Sequence, residues 1–147
     1  MLLLKKEFVT LRRSEGNAMP RRASTTPTEG ELEILNVLWD AGPATVRQVN
    51  NLIRRTKPAG YSTTLKLMQI MLGKGLLRRD ESVRPQVYTP AVTRGRAQRR
   101  MVAEMLDKAF DGSTSSLVMQ ALSAKKATPK DLEEIRRAIR QYEEKQQ

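Results

Sequence analysis

Apolar residues recur every three or four positions over most of the chain, which is the spacing of amphipathic helices. The first such segment has its apolar positions at Leu32, Ile34, Leu35, Val37, Leu38 and Trp39. Thr28 and Glu31 precede it with the spacing of a capping box, in which each side chain bonds the other residue's free backbone N–H. We therefore predict a first helix that begins at Thr28 and ends at Gly42-Pro43.

Two further helices are predicted after short turns. The second begins just after Thr45, with Gln48 at the capping-box position. The third is expected to be capped by Ser62 or Thr63 and to run to about Lys74. The apolar positions of the second are Val46, Val49, Leu52 and Ile53, and those of the third are Leu65, Leu67, Met68, Met71 and Leu72.

A β-hairpin is predicted after the third helix, with strands at 76–79 and 86–88 and a stop at Pro90. Two strands of this length are not stable alone, so they are expected to pack on the helices. Three helices followed by such a hairpin have the order of a winged helix-turn-helix. The predicted fold class is mainly α with a small β-hairpin.

Three more helices are predicted in the C-terminal part. Thr93 caps one that runs to about Phe110, a short one covers 115–123, and Thr128-Pro129 opens the last. We predict a basic extension at 1–27, a winged helix domain at 28–90 and a helical dimerisation domain at 91–147. A helix whose apolar stripe lacks a partner in its own chain commonly packs on a second copy. The alternative is that this segment folds back on its own winged domain.

The apolar positions predicted to form the dimer contact are Met101, Met105, Leu106, Phe110, Leu117, Leu132, Ile135 and Ile139. In a dimer, the third helix of each copy would lie about one DNA turn or more from that of the other. This spacing predicts a roughly palindromic DNA site.

The net charge of the chain indicates a class of binding partner. The 147 residues contain 27 Lys and Arg against 16 Asp and Glu, a net charge of +11, and residues 1–110 hold ten of these eleven excess charges. A polyanion is expected to bind the front of the chain, although the charge could serve solubility alone. In the extension, Arg21 and Arg22 could form a loose phosphate-binding arm, or translation could begin at Met19; the sequence leaves both open.

Three basic clusters surround the third helix, at 54–57, 78–84 and 94–100. Phosphates flank the major groove on both sides, so cations on several elements are needed to bind double-stranded DNA. The residues predicted to contact DNA are Ser62, Thr63, Thr64, Lys66, Gln69, Arg54, Arg55, Arg78, Arg79 and Arg84. Capping alone remains an alternative for each threonine, and a solvated face for each basic cluster. RNA is disfavoured because few aromatic residues are present to stack on bases.

The sequence offers little for catalysis or membrane insertion. It contains no His and no Cys, so no catalytic residue, metal site or cofactor is predicted. No apolar run approaches the ~20 residues of a membrane helix, and a cytoplasmic location is expected. A non-specific architectural or ribosome-bound protein is the alternative to a sequence-specific regulator. Enzyme chemistry with Ser and Lys or paired carboxylates is formally open.

Several short runs in order resemble the penicillinase-repressor (BlaI/MecI) family from about Thr28 to Tyr142. The matching runs are 28–35, Leu38-Trp39, 42–47, 61–65, 74–77, 87–90, 110–113 and Leu117-Val118. The resemblance implies a homodimeric transcriptional repressor with an N-terminal winged helix and a helical dimer module. It also implies a possible partner, a membrane sensor metalloprotease that relieves repression by cutting the C-terminal module. The matching bond here is Gln120–Ala121, where the best-known members have Asn before an aromatic residue.

Overall fold

The computed structural model describes residues 26–147 of the chain. The elements in that range are α1 (Glu29–Ala41), α2 (Val46–Ile53), α3 (Tyr61–Gly73), β1 (Leu77–Asp80), β2 (Val87–Pro90), α4 (Arg94–Ala109), α5 (Thr114–Ala124) and α6 (Pro129–Lys145). The order confirms the predicted fold class, mainly α with a small hairpin in winged helix-turn-helix order. The predicted extension, including Arg21 and Arg22, lies outside the described residues except for its last two.

Local hydrogen bonds begin the first two helices. The Thr28 hydroxyl accepts the backbone N–H of Glu31 at 3.2 Å, and the Glu31 carboxylate accepts that of Thr28 at 2.9 Å. Thr45 and Gln48 form the same pair of bonds at the start of α2. Gly42 ends α1 with a φ of 89°, a left-handed conformation that favours glycine. These boundaries confirm the predicted ones.

The start of α3 differs from its prediction. Gly60 is the residue before the helix, and its carbonyl accepts the backbone N–H of Thr64 at 3.1 Å. The prediction that Ser62 or Thr63 caps this helix is therefore wrong. Both residues lie inside the first turn, where their hydroxyls are left for other partners.

The core of the winged helix joins all three helices to the hairpin. Its buried members are Ile34, Leu35, Leu38, Ala44, Val46, Val49, Ile53, Met68, Met71, Leu76, Leu77 and Tyr88. Trp39, predicted as core, is half-buried, and its indole N–H donates to the carbonyl of Val92 at 3.0 Å. The hairpin is held from two sides, because Tyr88 also exchanges backbone hydrogen bonds with Ala44 at 2.8 and 3.1 Å. The expectation that the hairpin packs on the helices is confirmed.

The two strands pair antiparallel, with Leu77 opposite Pro90 and Asp80 opposite Val87. Both strands end later than predicted, because the ladder includes Asp80 and Pro90. Pro90 occupies the end of an edge strand, where its missing N–H leaves no bond unmade.

The chain divides into two compact units, the first ending at Arg100 and the second comprising Met101–Gln147. The division falls inside α4, ten residues after the end of the predicted winged helix domain. Residues 91–100 join the first unit because Ala97 is buried there and Val92 packs against the core.

The second unit contains the rest of α4 with α5 and α6. Thr128 and Asp131 form a capping box at the start of α6, and Ser113 caps α5. No residue of 101–147 is buried, although many are apolar. A single copy of this unit therefore leaves most of its apolar surface in water.

Candidate DNA-binding surface

The polar face of α3 is open to solvent. Ser62, Thr63, Lys66 and Gln69 are all exposed, and they occupy the first three turns of the helix. A helix with donors and acceptors at its N-terminal end is what a winged helix presents to base edges. The structure thus brings these four predicted residues together on one surface.

Thr64 does not belong to that surface. The residue is only 3% exposed, whereas the other four are open to solvent. The structure therefore contradicts the prediction that Thr64 contacts DNA. Thr64 lies about 100° around the helix from Thr63, which is enough to turn it inward.

Three predicted cations are available for phosphates. Arg54 and Arg55 lie at the C-terminal end of α2, and Arg78 lies on β1; all three are exposed. None of them forms an ion pair with another residue of 26–147. A guanidinium without a carboxylate partner gives up only its contacts with water when it binds phosphate. No ion pair has to be broken first.

The other two hairpin arginines are engaged within the hairpin. Two nitrogens of the Arg79 guanidinium donate to the same carboxylate oxygen of Glu81, at 2.7 and 3.1 Å. This hydrogen bond raises the pKa of Arg79 above its ordinary value. Arg84 donates to the backbone carbonyl of Glu81 at 2.8 Å. Both guanidinium groups shape the turn, which leaves Arg78 as the freer cation of the hairpin.

Two basic residues of the clusters before and after α3 also have acidic partners. Lys57 pairs with Glu33 at 3.0 Å, and Arg94 pairs with Asp40 at 2.6 Å while stacking on Trp39 at 5.3 Å from the ring centre. Exposed pairs such as these contribute little to stability and exchange readily.

Sequence reasoning missed a contact between α2 and α3. The guanidinium of Arg47 lies over the ring of Tyr61, 4.8 Å from its centre. Both side chains are exposed, and Tyr61 is the first residue of α3. They lie on the wall of a groove of about 360 Å³ that extends to Pro85 and Gln86 on the hairpin side. Arg47 and Tyr61 are 14 positions apart, and the sequence carries no signal for their pairing.

A buried ion pair positions the far end of α3. The Lys74 ammonium donates to both oxygens of Glu31, at 2.8 and 3.0 Å. Burial acts to raise the pKa of Glu31, but hydrogen bonds from Lys74 and from the backbone of Thr28, with the Lys74 charge, outweigh it and lower the pKa below its ordinary value of 4.5. The pair joins the start of α1 to the end of α3.

The residues predicted to form a dimer contact lie in the second unit. Met105 and Ile139 are exposed, and the other predicted positions are half-buried. Further exposed apolar residues of this unit, which that prediction did not include, are Val102, Val118, Met119, Leu122 and Tyr142. Tyr142 is the most exposed of these, at 66%.

The bond suggested for cleavage lies in the middle of α5. Gln120 and Ala121 are both exposed, and both are helical. A protease binds its substrate as an extended strand, so α5 must open locally before this bond can be cut.

Comparison with known proteins agrees with this architecture. The family model described as "Penicillinase repressor" matches residues 27–141. No curated protein sequence matches the chain significantly. Within residues 26–147, no helix is both long and apolar enough to cross a membrane. The family match covers most of the chain, including both units, and so the protein belongs to the penicillinase repressor family of transcriptional repressors.

Proposed function

We propose that this protein represses transcription as a homodimer that binds a palindromic operator through α3. The observation that carries the proposal is the exposed polar face of α3, together with three exposed arginines on the elements before and after it, Arg54, Arg55 and Arg78, which form no ion pair within residues 26–147. The polar side chains of α3 can bond base edges, and the arginines can bond the phosphates that border a groove. Such a protein acts where the chromosome is, in the cytoplasm.

The second unit supports the homodimer. No residue of 101–147 is buried, and the apolar residues Met105, Met119 and Tyr142 are more than half exposed. Apolar surface of this extent is rare on a stable monomer and is typical of an interface. Two copies joined through these helices would present two α3 helices to successive major grooves.

Binding to a promoter fragment tests the proposal, with Lys66 as the probe. If Lys66 bonds a base edge, Lys66→Ala should weaken operator binding by about 1–3 kcal/mol and relax preference at one position per half-site. Titration of labelled operator duplex, followed by anisotropy at fixed salt, measures both effects. Lys126→Ala, which removes an ammonium from another exposed lysine, in the second unit, should leave the preference unchanged.

Two results would contradict the proposal. Equal affinity for the operator and a scrambled duplex would favour the non-specific architectural alternative. A complex whose sedimentation mass exceeds that of the duplex by only 16.7 kDa, the mass of one protomer, would exclude the homodimer.

Relief by a sensor protease is a further part of the proposal. Cleavage at Gln120–Ala121 would detach α6, with Leu132, Ile135 and Ile139, from the rest of the chain. The dimer would lose much of its contact, and each winged helix would bind its half-site alone and weakly. A recognition site for a specific protease, inserted at this bond in the full-length protein, tests the step: cutting should release the operator.

A further inference from the structure

Ile70 is the exception among the leucine, isoleucine and methionine residues of α3. The other five, Leu65, Leu67, Met68, Met71 and Leu72, are core members or pack against the core. Ile70 is 45% exposed and belongs to neither group. A single exposed apolar side chain needs no explanation by itself, so its position on the helix decides what it can do.

Ile70 lies on the same face as the predicted reading residues. At 100° per residue, it is about 20° around the helix from Thr63 and about 40° from Lys66. It is about 6 Å further along the axis than Lys66. An α3 helix that places Thr63 and Lys66 in the major groove therefore carries Ile70 into the same groove.

The major groove contains one apolar feature of the bases, the C5-methyl group of thymine. Polar side chains such as Lys66 and Gln69 can bond the oxygens and nitrogens of base edges but gain nothing from this methyl. Resting on the proposed function, we propose that Ile70 is a specificity-determining residue that packs on a thymine methyl in each half-site.

The side chain suits that role. Isoleucine is β-branched and has one strongly preferred χ1 rotamer in a helix, so little freedom is lost on contact. Transfer from water into a methyl contact is favourable for it, whereas a cytosine at the same position offers a polar amino group. The contact thus adds preference for thymine without adding charge.

Deoxyuridine, which is thymidine without the methyl group, tests this directly. An operator duplex is selected in vitro with the wild-type protein, and each thymidine is replaced in turn by deoxyuridine. For wild type, we expect one position per half-site at which replacement weakens binding about fourfold, the effect of one buried methyl. Ile70→Ala should bind both duplexes with equal affinity, and Ile70→Val should keep most of the difference.

Val83→Ala is the matched control, because Val83 is a similarly exposed apolar residue, at 40%, in the hairpin turn. It should leave the thymidine-to-deoxyuridine ratio as in wild type. Circular dichroism checks that each variant is folded. The inference is overturned if wild type has no methyl-dependent position, or if the dependence persists in Ile70→Ala. Selection of no preferred duplex by wild type would instead defeat the proposed function, and this inference with it.

Discussion

At the scale of single residues, the buried pair of Glu31 and Lys74 shows how charge positions the candidate surface. Glu31 also completes the capping box of α1, so one carboxylate serves both the start of that helix and the end of α3. Breaking a buried ion pair leaves a charge without compensation, which costs far more than losing an exposed pair. The contact joins the start of α1 to the end of α3 although the two residues are 43 positions apart.

We expect Glu31→Gln to lower the free energy of unfolding by about 1.5–3 kcal/mol at pH 7, the range for hydrogen bonds to charged groups. Because the pKa of Glu31 is lowered on folding, its contribution is complete above the unfolded value of 4.5 and declines as pH falls through the lower folded value. The difference between wild type and variant should therefore shrink below pH 4.5.

Urea unfolding at fixed protein concentration, followed by Trp39 fluorescence at pH 7 and pH 3.5, measures this difference. The control is Glu33→Gln, which removes an exposed pair with Lys57 and should cost less than about 1 kcal/mol. An equal loss for Glu31→Gln at both pH values would contradict the prediction.

At the scale of elements, α2 and α3 meet as a helix-turn-helix, and their contact sets how α3 approaches a groove. The stacking of Arg47 on Tyr61 places a cation at the first turn of α3 while its charge remains unpaired among the described residues. A guanidinium on an aromatic face keeps its N–H groups directed outward for a phosphate.

Arg47→Ala should weaken binding to all sequences and reduce the slope of log affinity against log salt by about 1, as expected for one lost phosphate contact. Titrations at several salt concentrations measure the slope. Arg47→Lys keeps the charge without the planar stack, and we expect it to restore the slope but only part of the affinity. An unchanged slope in Arg47→Ala would show that Arg47 serves packing alone.

At the scale of the whole molecule, the two units differ in their cores and in their surfaces. The first has a closed core and most of the cationic surface, and the second has apolar helices without a buried residue. We expect the second unit to complete its core by pairing with another copy.

If the proposed dimer forms through α6, Ile139→Asp, which places a charge on the apolar stripe of that helix, should leave protomers of 16.7 kDa at micromolar concentration. Sedimentation equilibrium measures the mass. Gln141→Asp, on the opposite side of the same helix, changes the charge equally and should leave the mass unaltered. A variant Ile139→Asp that sediments like wild type would move the interface elsewhere.

Most of the fold could be predicted because its signals are local. Thr28 with Glu31, Thr45 with Gln48, and Thr128 with its proline each mark a helix start within three residues. Gly60 shows the limit of such signals: it begins α3 without any side-chain cap, so the hydroxyls that follow were misread as caps.

The helices, the hairpin and the excess of positive charge in residues 1–110 can be predicted from the order of amino acids, because capping, periodicity and composition act between near neighbours. Only the tertiary structure decided which side chains face water: Thr64 is buried, Ile70 is exposed, and Arg79 is engaged by Glu81 whereas Arg78 is free of an ion pair among the described residues. Exposure depends on which elements cover each face, and those elements come from distant parts of the chain.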